Sequence, residues 1–384
     1  MFSDDKEWIE ARGTTLGADN GVGAAAMIAL MREKNYSHPP LELLFTTDEE
    51  SGLTGARNFD TTLIKSKRMI NLDSEEERNV CIGCAGGAKI RISLPYKLEE
   101  DKRETFIKIN VRGLKGGHSG VEIHLQRANA IKTLVRIITK LGKEKPLKIA
   151  SITGGNKDNA IPREAQAVIS INSCVDEVKE LMQEEINSII REYEGIEEKV
   201  LISFEEELTQ RSIMTSDSTN KIVDLINILP DGVFRKSPVI ADLIETSSCL
   251  SVVREEKNMI EIILTPRSSS EKTMDYLIER IKSACRLSKA EIIVEGRYPG
   301  WNPDKKRELL KTFIKVHDQL IGIPPRVSAV HAGLECGVIG EKIPGIEMIS
   351  FGPEIRHAHS PDEKIKIKSV KEFWKILKEI LRVL

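Results

Sequence analysis

Helix-like and strand-like segments alternate at both ends of this chain, and the middle does not share that rhythm. From residue 23 "GAAAMIALMRE" has helical composition, "LELLFTT" (41–47) reads as a strand, "GLTGARNF" opens another helix, and "KRMINLDS" (67–74) is strand-like again. Alternation of this kind predicts a sheet with parallel strands, whose ligands collect beyond the strands' carboxyl ends. After "CIGCAGG" (81–87) the texture turns to strands such as "AKIRISLPY" and "TFIKINVRG" and a long helix, "RANAIKTLVRIITKLG". "AQAVISINSCV" and "MIEIILTPRSSS" continue as strands, and "VDEVKELMQEEINSIIREY" as an amphipathic helix. "YPGWNPD" (298–304) marks a return. The first texture resumes with helix "KRELLKTFIKVHDQLIG", strand "IEMISFGP" and helix "SVKEFWKILKEILRVL". The expectation is one domain inserted in another: residues 1–86 and 301–384 form an α/β domain, and 87–300 an inserted α+β domain.

At 384 residues the chain is too long for one ordinary core, which agrees with two domains. Lysine plus arginine number 57 against 59 acids, so the formal charge is −2, and no long basic run argues for nucleic acid. The acidic start "MFSDDKEWIE" lacks an apolar segment, and no stretch approaches the roughly 18 apolar residues of a membrane span. A cytoplasmic protein is expected. The six cysteines, Cys81, Cys84, Cys174, Cys249, Cys285 and Cys336, do not resemble a disulfide framework and read as reduced thiols; the one C-x-x-C leaves redox work by Cys81 and Cys84 open.

Acids gather where those strands end. "TTDEES" sets Asp48, Glu49 and Glu50 directly after an apolar run, and neighbouring like charges are tolerable in a poorly solvated place only beside a cation. A solvated loop is the alternative. "TTLGADNGVGAAA" (14–26) matches G-x-G-x-x-A, but a dinucleotide fingerprint follows an apolar strand and this one follows polar, turn-rich sequence. Asp19, between Gly17 and Gly21, reads equally as a ligand or as the N-cap of the alanine-rich helix. Asp73, closing "MINLDS", is a ligand or a turn residue. "GPEIRHAHSPDE" places His357 and His359 two apart, with acids close behind. Together these sites offer the carboxylate and imidazole set that zinc accepts.

"ARGTTLGADNGVG", "TTDEESGLTGA", "INLDSEE", "CIGCAGG", "GLKGGHSGVEIH", "YPGWNPD", "HAGLECG" and "HSPDE", in that order over essentially the whole chain, resemble the aminoacyl-histidine dipeptidases (Xaa-His dipeptidases, carnosine-hydrolysing type). That family belongs to the dinuclear zinc peptidases with a catalytic domain and an inserted lid domain. The resemblance implies that the α/β domain is a mixed sheet flanked by helices, that Asp19 bridges two zinc ions, that Glu50 and His359 complete one site and Asp73 serves the other, and that Glu49 is the general base. It implies that His118, in "GGHSG", stabilises an oxyanion, often across a homodimer. Asn159, in "GGNKDNAIPRE", would contact substrate or oxyanion, Arg267, in "LTPRSSS", the substrate carboxylate, and His331 and Glu335 would lie near a small peptide substrate.

The family also places an H-x-D-M-V segment upstream of "GADNG", and its histidine binds zinc. Here the resemblance enters at "EWIEARGTTLG", and the eighteen residues before Asp19 contain no histidine. The site sharing Asp19 and Asp73 is therefore expected to lack a ligand. Three readings stand: a zinc dipeptidase with full or impaired activity, a non-catalytic or fragmentary relative that binds peptide or oligomerises, and a related deacylase or amidohydrolase.

Overall fold

The structure, a computed structural model, describes residues 3, 6–50, 52–100, 105–208 and 212–384. The chain divides into two compact units, the first made of Met1–Ala85, Ser237–Leu243 and Pro299–Leu384, the second of Gly86–Lys236 and Ile244–Tyr298.

The first unit holds a four-stranded mixed sheet in the order Arg326–Val330, Asn79–Cys84, Glu347–Ser350, Arg68–Asn71. The outer pairs are parallel, Arg326 opposite Asn79 and Met69 opposite Met348, and the middle pair is antiparallel at Ser350 and Cys81. Successive residues of a strand face opposite ways, which explains why the neighbours Met348 and Ile349 are both apolar. Met348 packs with Leu53, Ala56, Cys336 and Ile339, whereas Ile349 packs with Leu30, Phe313, Phe351 and Ile376. Helices Ala18–Arg32, Glu308–Ile321 and Ile367–Val383 supply the second cluster and Glu335–Lys342 the first. A small sheet joins Trp8–Glu10 to Lys364–Lys366 and Ile355–Arg356.

One expected strand does not form. Residues 41–47 run without a ladder, although Leu41 and Leu44 still reach the two clusters and Phe45 is half exposed. A strand needs a neighbour to take its backbone hydrogen bonds, and none among the described residues pairs with this run.

The second unit is built on an eleven-stranded antiparallel sheet among the described residues, with Gly86–Pro95 bonded to three neighbours, Met259–Leu264, Arg267–Ser268 and Glu291–Tyr298. Ile90, Ile92 and Leu94 alternate into the core. Helix Ala130–Glu144 covers it with Ile131, Leu134, Val135, Ile138 and Leu141, the spacing of one helical face. Asn129 caps that helix, its side-chain oxygen accepting from the amides of Ile131 at 3.0 Å and Lys132 at 3.3 Å. No helix among the described residues is long and apolar enough to cross a membrane.

Candidate metal centre

The capping reading of Asp19 fails on its geometry, because its neighbour takes that task. Asn20 Oδ1 accepts the amide of Gly23 at 3.0 Å, and a Cβ on Gly23 would fall 2.4 Å from that oxygen, so glycine is required there. Asp19 keeps extended φ/ψ values of −88° and 110° inside the kinked helix start, which leaves its side chain to reach elsewhere. Its Oδ2 lies 2.8 Å from His359 Nε2, and the same nitrogen lies 2.9 Å from Glu50 Oε1. His359 stands at the tip of its loop with a left-handed φ of 63°. His357 is not part of this group.

Glu49 and Glu50 sit on a tight turn. The Glu49 carbonyl accepts the amides of Gly52 at 3.2 Å and Leu53 at 3.0 Å, and Thr47 accepts that of Gly55 at 3.0 Å. A Cβ on Gly55 would meet that Thr47 carbonyl at 2.5 Å. Neighbouring side chains thus diverge: Glu50 is exposed beside His359, while Glu49 turns inward and is half buried. Asp73 follows strand Arg68–Asn71, its amide held by Asn71 Oδ1 at 3.1 Å.

Burial is the first cause that raises the Asp73 carboxyl to about 8, followed by the negative charges of Asp19 and Glu49 and a hydrogen bond with Asp19. Burial, then Glu50, Glu335 and Asp19, raises Glu49 to about 7. Burial also raises Glu335, one oxygen of which accepts from Thr46 Oγ1 at 2.9 Å while the other is buried without a hydrogen-bond partner. His359 is raised, first by its hydrogen bond to Asp19 and then by Glu50. Five carboxyls therefore gather near one imidazole, Asp19, Glu49, Asp73 and Glu335 at least partly buried and Glu50 exposed with His359. Asp19, Glu50 and His359 present donor atoms within 4.8 Å of one another, the one such group found among the described residues. Mixed oxygen and nitrogen donors, surplus negative charge and an unsatisfied buried carboxylate oxygen fit a divalent cation. His331 is buried in the loop before helix Glu335–Lys342, where the amide of Ala85 donates to the carbonyls of Val330 and Ala332 at 3.0 Å each.

The second unit brings His118, Asn159 and Arg267 into one neighbourhood. His118 pairs with Ala160, and the amide of Ser119 donates to the Asn159 carbonyl at 2.9 Å. His118 Nδ1 accepts two backbone amides, from Gly120 at 3.2 Å and Val121 at 3.0 Å, so the ring proton belongs on Nε2. Burial, then the Arg267 charge, lowers its pKa and keeps it neutral. Arg267 donates through Nη1 to the Tyr298 hydroxyl at 2.8 Å, and its Nε is buried without a partner. Cys81 and Cys84 lie buried in the first unit's sheet, their thiols raised by burial to about 11 and about 12, which removes the thiolate that redox work needs.

Sequence reasoning missed Thr46, Glu75 and Glu363. Glu75 is raised first by burial and then by Asp19, and Glu363 is bonded to the Asp19 turn. The acids in "INLDSEE" and "HSPDE" were the available signal.

A family model described as Peptidase family M20/M25/M40 matches residues 2–383. The chain belongs to this metallopeptidase family. It is 37% identical over 381 residues to the cytosol non-specific dipeptidase of Escherichia coli (strain K12), covering 98% of this chain and 78% of that protein. The crystal structure of the aminoacylhistidine dipeptidase from Vibrio alginolyticus superposes with a TM-score of 0.94 at 34% identity, over 98% of this chain and 78% of that one. Aminopeptidase PepT from Bacillus cereus, at 18% identity, a TM-score of 0.52, and 100% and 75% coverage, shares the fold alone.

Proposed function

We propose that this M20 family member is a metal-dependent dipeptidase whose substrates include Xaa-His dipeptides, with zinc as its metal. The observation that carries the reading is the Asp19, Glu50 and His359 group, whose donor atoms lie within 4.8 Å of one another, with the half-buried Glu49 carboxyl adjoining it in sequence. Asp19, Glu50 and His359 would hold one ion, and Asp73, beside Asp19, would serve a second. The chemistry such an ion supplies when bound is Lewis acidity, which brings the ionisation of water down towards ~7. Glu49 accepts the proton of the attacking water and later gives it to the leaving amine, a double task for a carboxyl held next to a ligand but turned away from it. His118 Nε2–H is a donor for the oxyanion, and the unpartnered Arg267 Nε a donor for the substrate carboxylate. Asn159, His331 and Glu335 are assigned to substrate contact on the resemblance. A homodimer and a cytoplasmic site of action complete the proposal, the second supported by the cytosolic name of the Escherichia coli relative.

The test is amino-acid release from β-alanyl-histidine, other dipeptides and acyl-amino acids by the folded chain, with zinc and with chelator. Zinc-dependent cleavage of dipeptides is expected. A zinc-supplied, folded chain that cleaves no dipeptide would overturn the proposal, and cleavage confined to acyl-amino acids would favour a deacylase.

A further inference from the structure

Glu363 is 2% exposed, and no lysine or arginine lies within ion-pair distance of it among the described residues. A buried carboxylate without a counter-ion is costly unless it is fully hydrogen-bonded. Here the bonds come from backbone on the far side of the sequence. Oε2 accepts the amide of Gly17 at 2.7 Å, and Oε1 accepts that of Asp19 at 3.0 Å. Burial opposes ionisation of this carboxyl, but the amides of Asp19, Gly17, Ala18 and Leu16 outweigh it and hold the pKa below the ordinary value. Gly17 offers no side-chain cap, and the Asn20 cap serves only the turn after the kink, so the amides of the Gly17–Asp19 stretch are left to a distant anion. Four residues before Glu363 on the same loop, His359 Nε2 meets the Asp19 carboxylate at 2.8 Å. One five-residue stretch therefore grips Asp19 twice, by its side chain and by its backbone.

We propose that Glu363 is a positioning residue: its carboxylate clamps the Gly17–Asp19 backbone and thereby aims the Asp19 carboxylate at His359 and Glu50. The metal consequence rests on the centre proposed above; the clamp itself does not. Glutamine at this position can accept from one amide but opposes the other with its own N–H groups. Aspartate keeps the charge and retracts it.

Two readouts test the clamp in Glu363→Gln and Glu363→Asp, with Ser369→Ala as control. Ser369 is a buried residue of the same unit whose Oγ accepts the Glu354 amide at 2.9 Å and donates to the Lys366 carbonyl at 2.8 Å, and it makes no hydrogen bond to Asp19. The first readout is amide hydrogen exchange of Gly17 and Asp19 in metal-free protein. The second is zinc affinity by competition with a chromophoric chelator. Glu363→Gln is expected to exchange those amides about tenfold faster or more, because charge-assisted bonds are lost. It is expected to bind zinc roughly 10–100-fold more weakly, the usual effect of removing a group that orients a ligand. Glu363→Asp should fall between it and wild type, and it carries both readouts if the glutamine variant does not fold. Ser369→Ala should lower the melting temperature and change neither readout. Unaltered exchange at Gly17 and Asp19, or a zinc loss no larger than that of Ser369→Ala, would overturn the proposal. Should wild type bind zinc no better than Asp19→Asn, the metal reading fails, and exchange alone decides for or against the clamp.

Discussion

At Asp73 and Glu49 two carboxyls stand at about 8 and about 7, against an ordinary value near 4 in an unfolded chain. The folded protein without metal therefore binds their protons more tightly than the unfolded chain does. That contribution to stability is complete below about pH 4 and is lost as pH rises through 7 and 8. Metal-free protein should accordingly melt at a lower temperature near pH 8 than near pH 5.5, and saturating zinc should remove or reverse the difference. Thermal melts with chelator that stay level across that window would refute the assignment. His118 is predicted to act on the reaction rather than on the fold. Replacing it by alanine should lower kcat by roughly 10²–10³, the usual effect of losing an oxyanion donor, with little change in melting temperature. A variant with wild-type kcat would remove His118 from the mechanism. Asp19 shows how far single residues were legible. Its flanking glycines left ligand and cap equally open, and only the Asn20–Gly23 bond, at 3.0 Å, released it from capping.

Elements were legible where their stabilising contacts are local. Helix Ala130–Glu144 shows its buried face in the spacing of Ile131, Leu134, Val135, Ile138 and Leu141 and its start in the Asn129 cap. Leu134→Ala removes a fully buried side chain and should cost about 2–5 kcal/mol, read as a lower urea midpoint at unchanged slope; a loss below about 0.5 kcal/mol, the range of surface substitutions, would contradict that packing. The run 41–47 misled for the opposite reason. Its composition suits a strand, but a ladder is a property of two segments, and apolar residues can enter a core from irregular backbone. The Glu363 clamp was invisible on the same grounds, since its partners lie 344 and 346 positions away.

For the molecule as a whole, the two compact units part after Ala85 and again before Pro299, close to where strand-rich sequence replaces alternating sequence and back. The excursion of Ser237–Leu243 into the first unit has no such signature; Ile240 and Leu243 join a core assembled from both chain ends, which no local window can contain. The ordered motifs pointed to the peptidase family more firmly than any element did, because a run of specific residue types in order is far less degenerate than an apolar pattern. If an ion completes the centre, zinc at about 100 times its dissociation constant should stabilise the protein by about 2.7 kcal/mol, a shift absent in Asp19→Asn. The central claim, that a metal centre works with Glu49 as its proton carrier, is tested most directly by comparing wild type and Glu49→Gln for zinc affinity and for kcat on β-alanyl-histidine. Zinc affinity within a fewfold of wild type with kcat lowered by about 10²–10⁴ is the predicted result. Equal turnover in both proteins would contradict it.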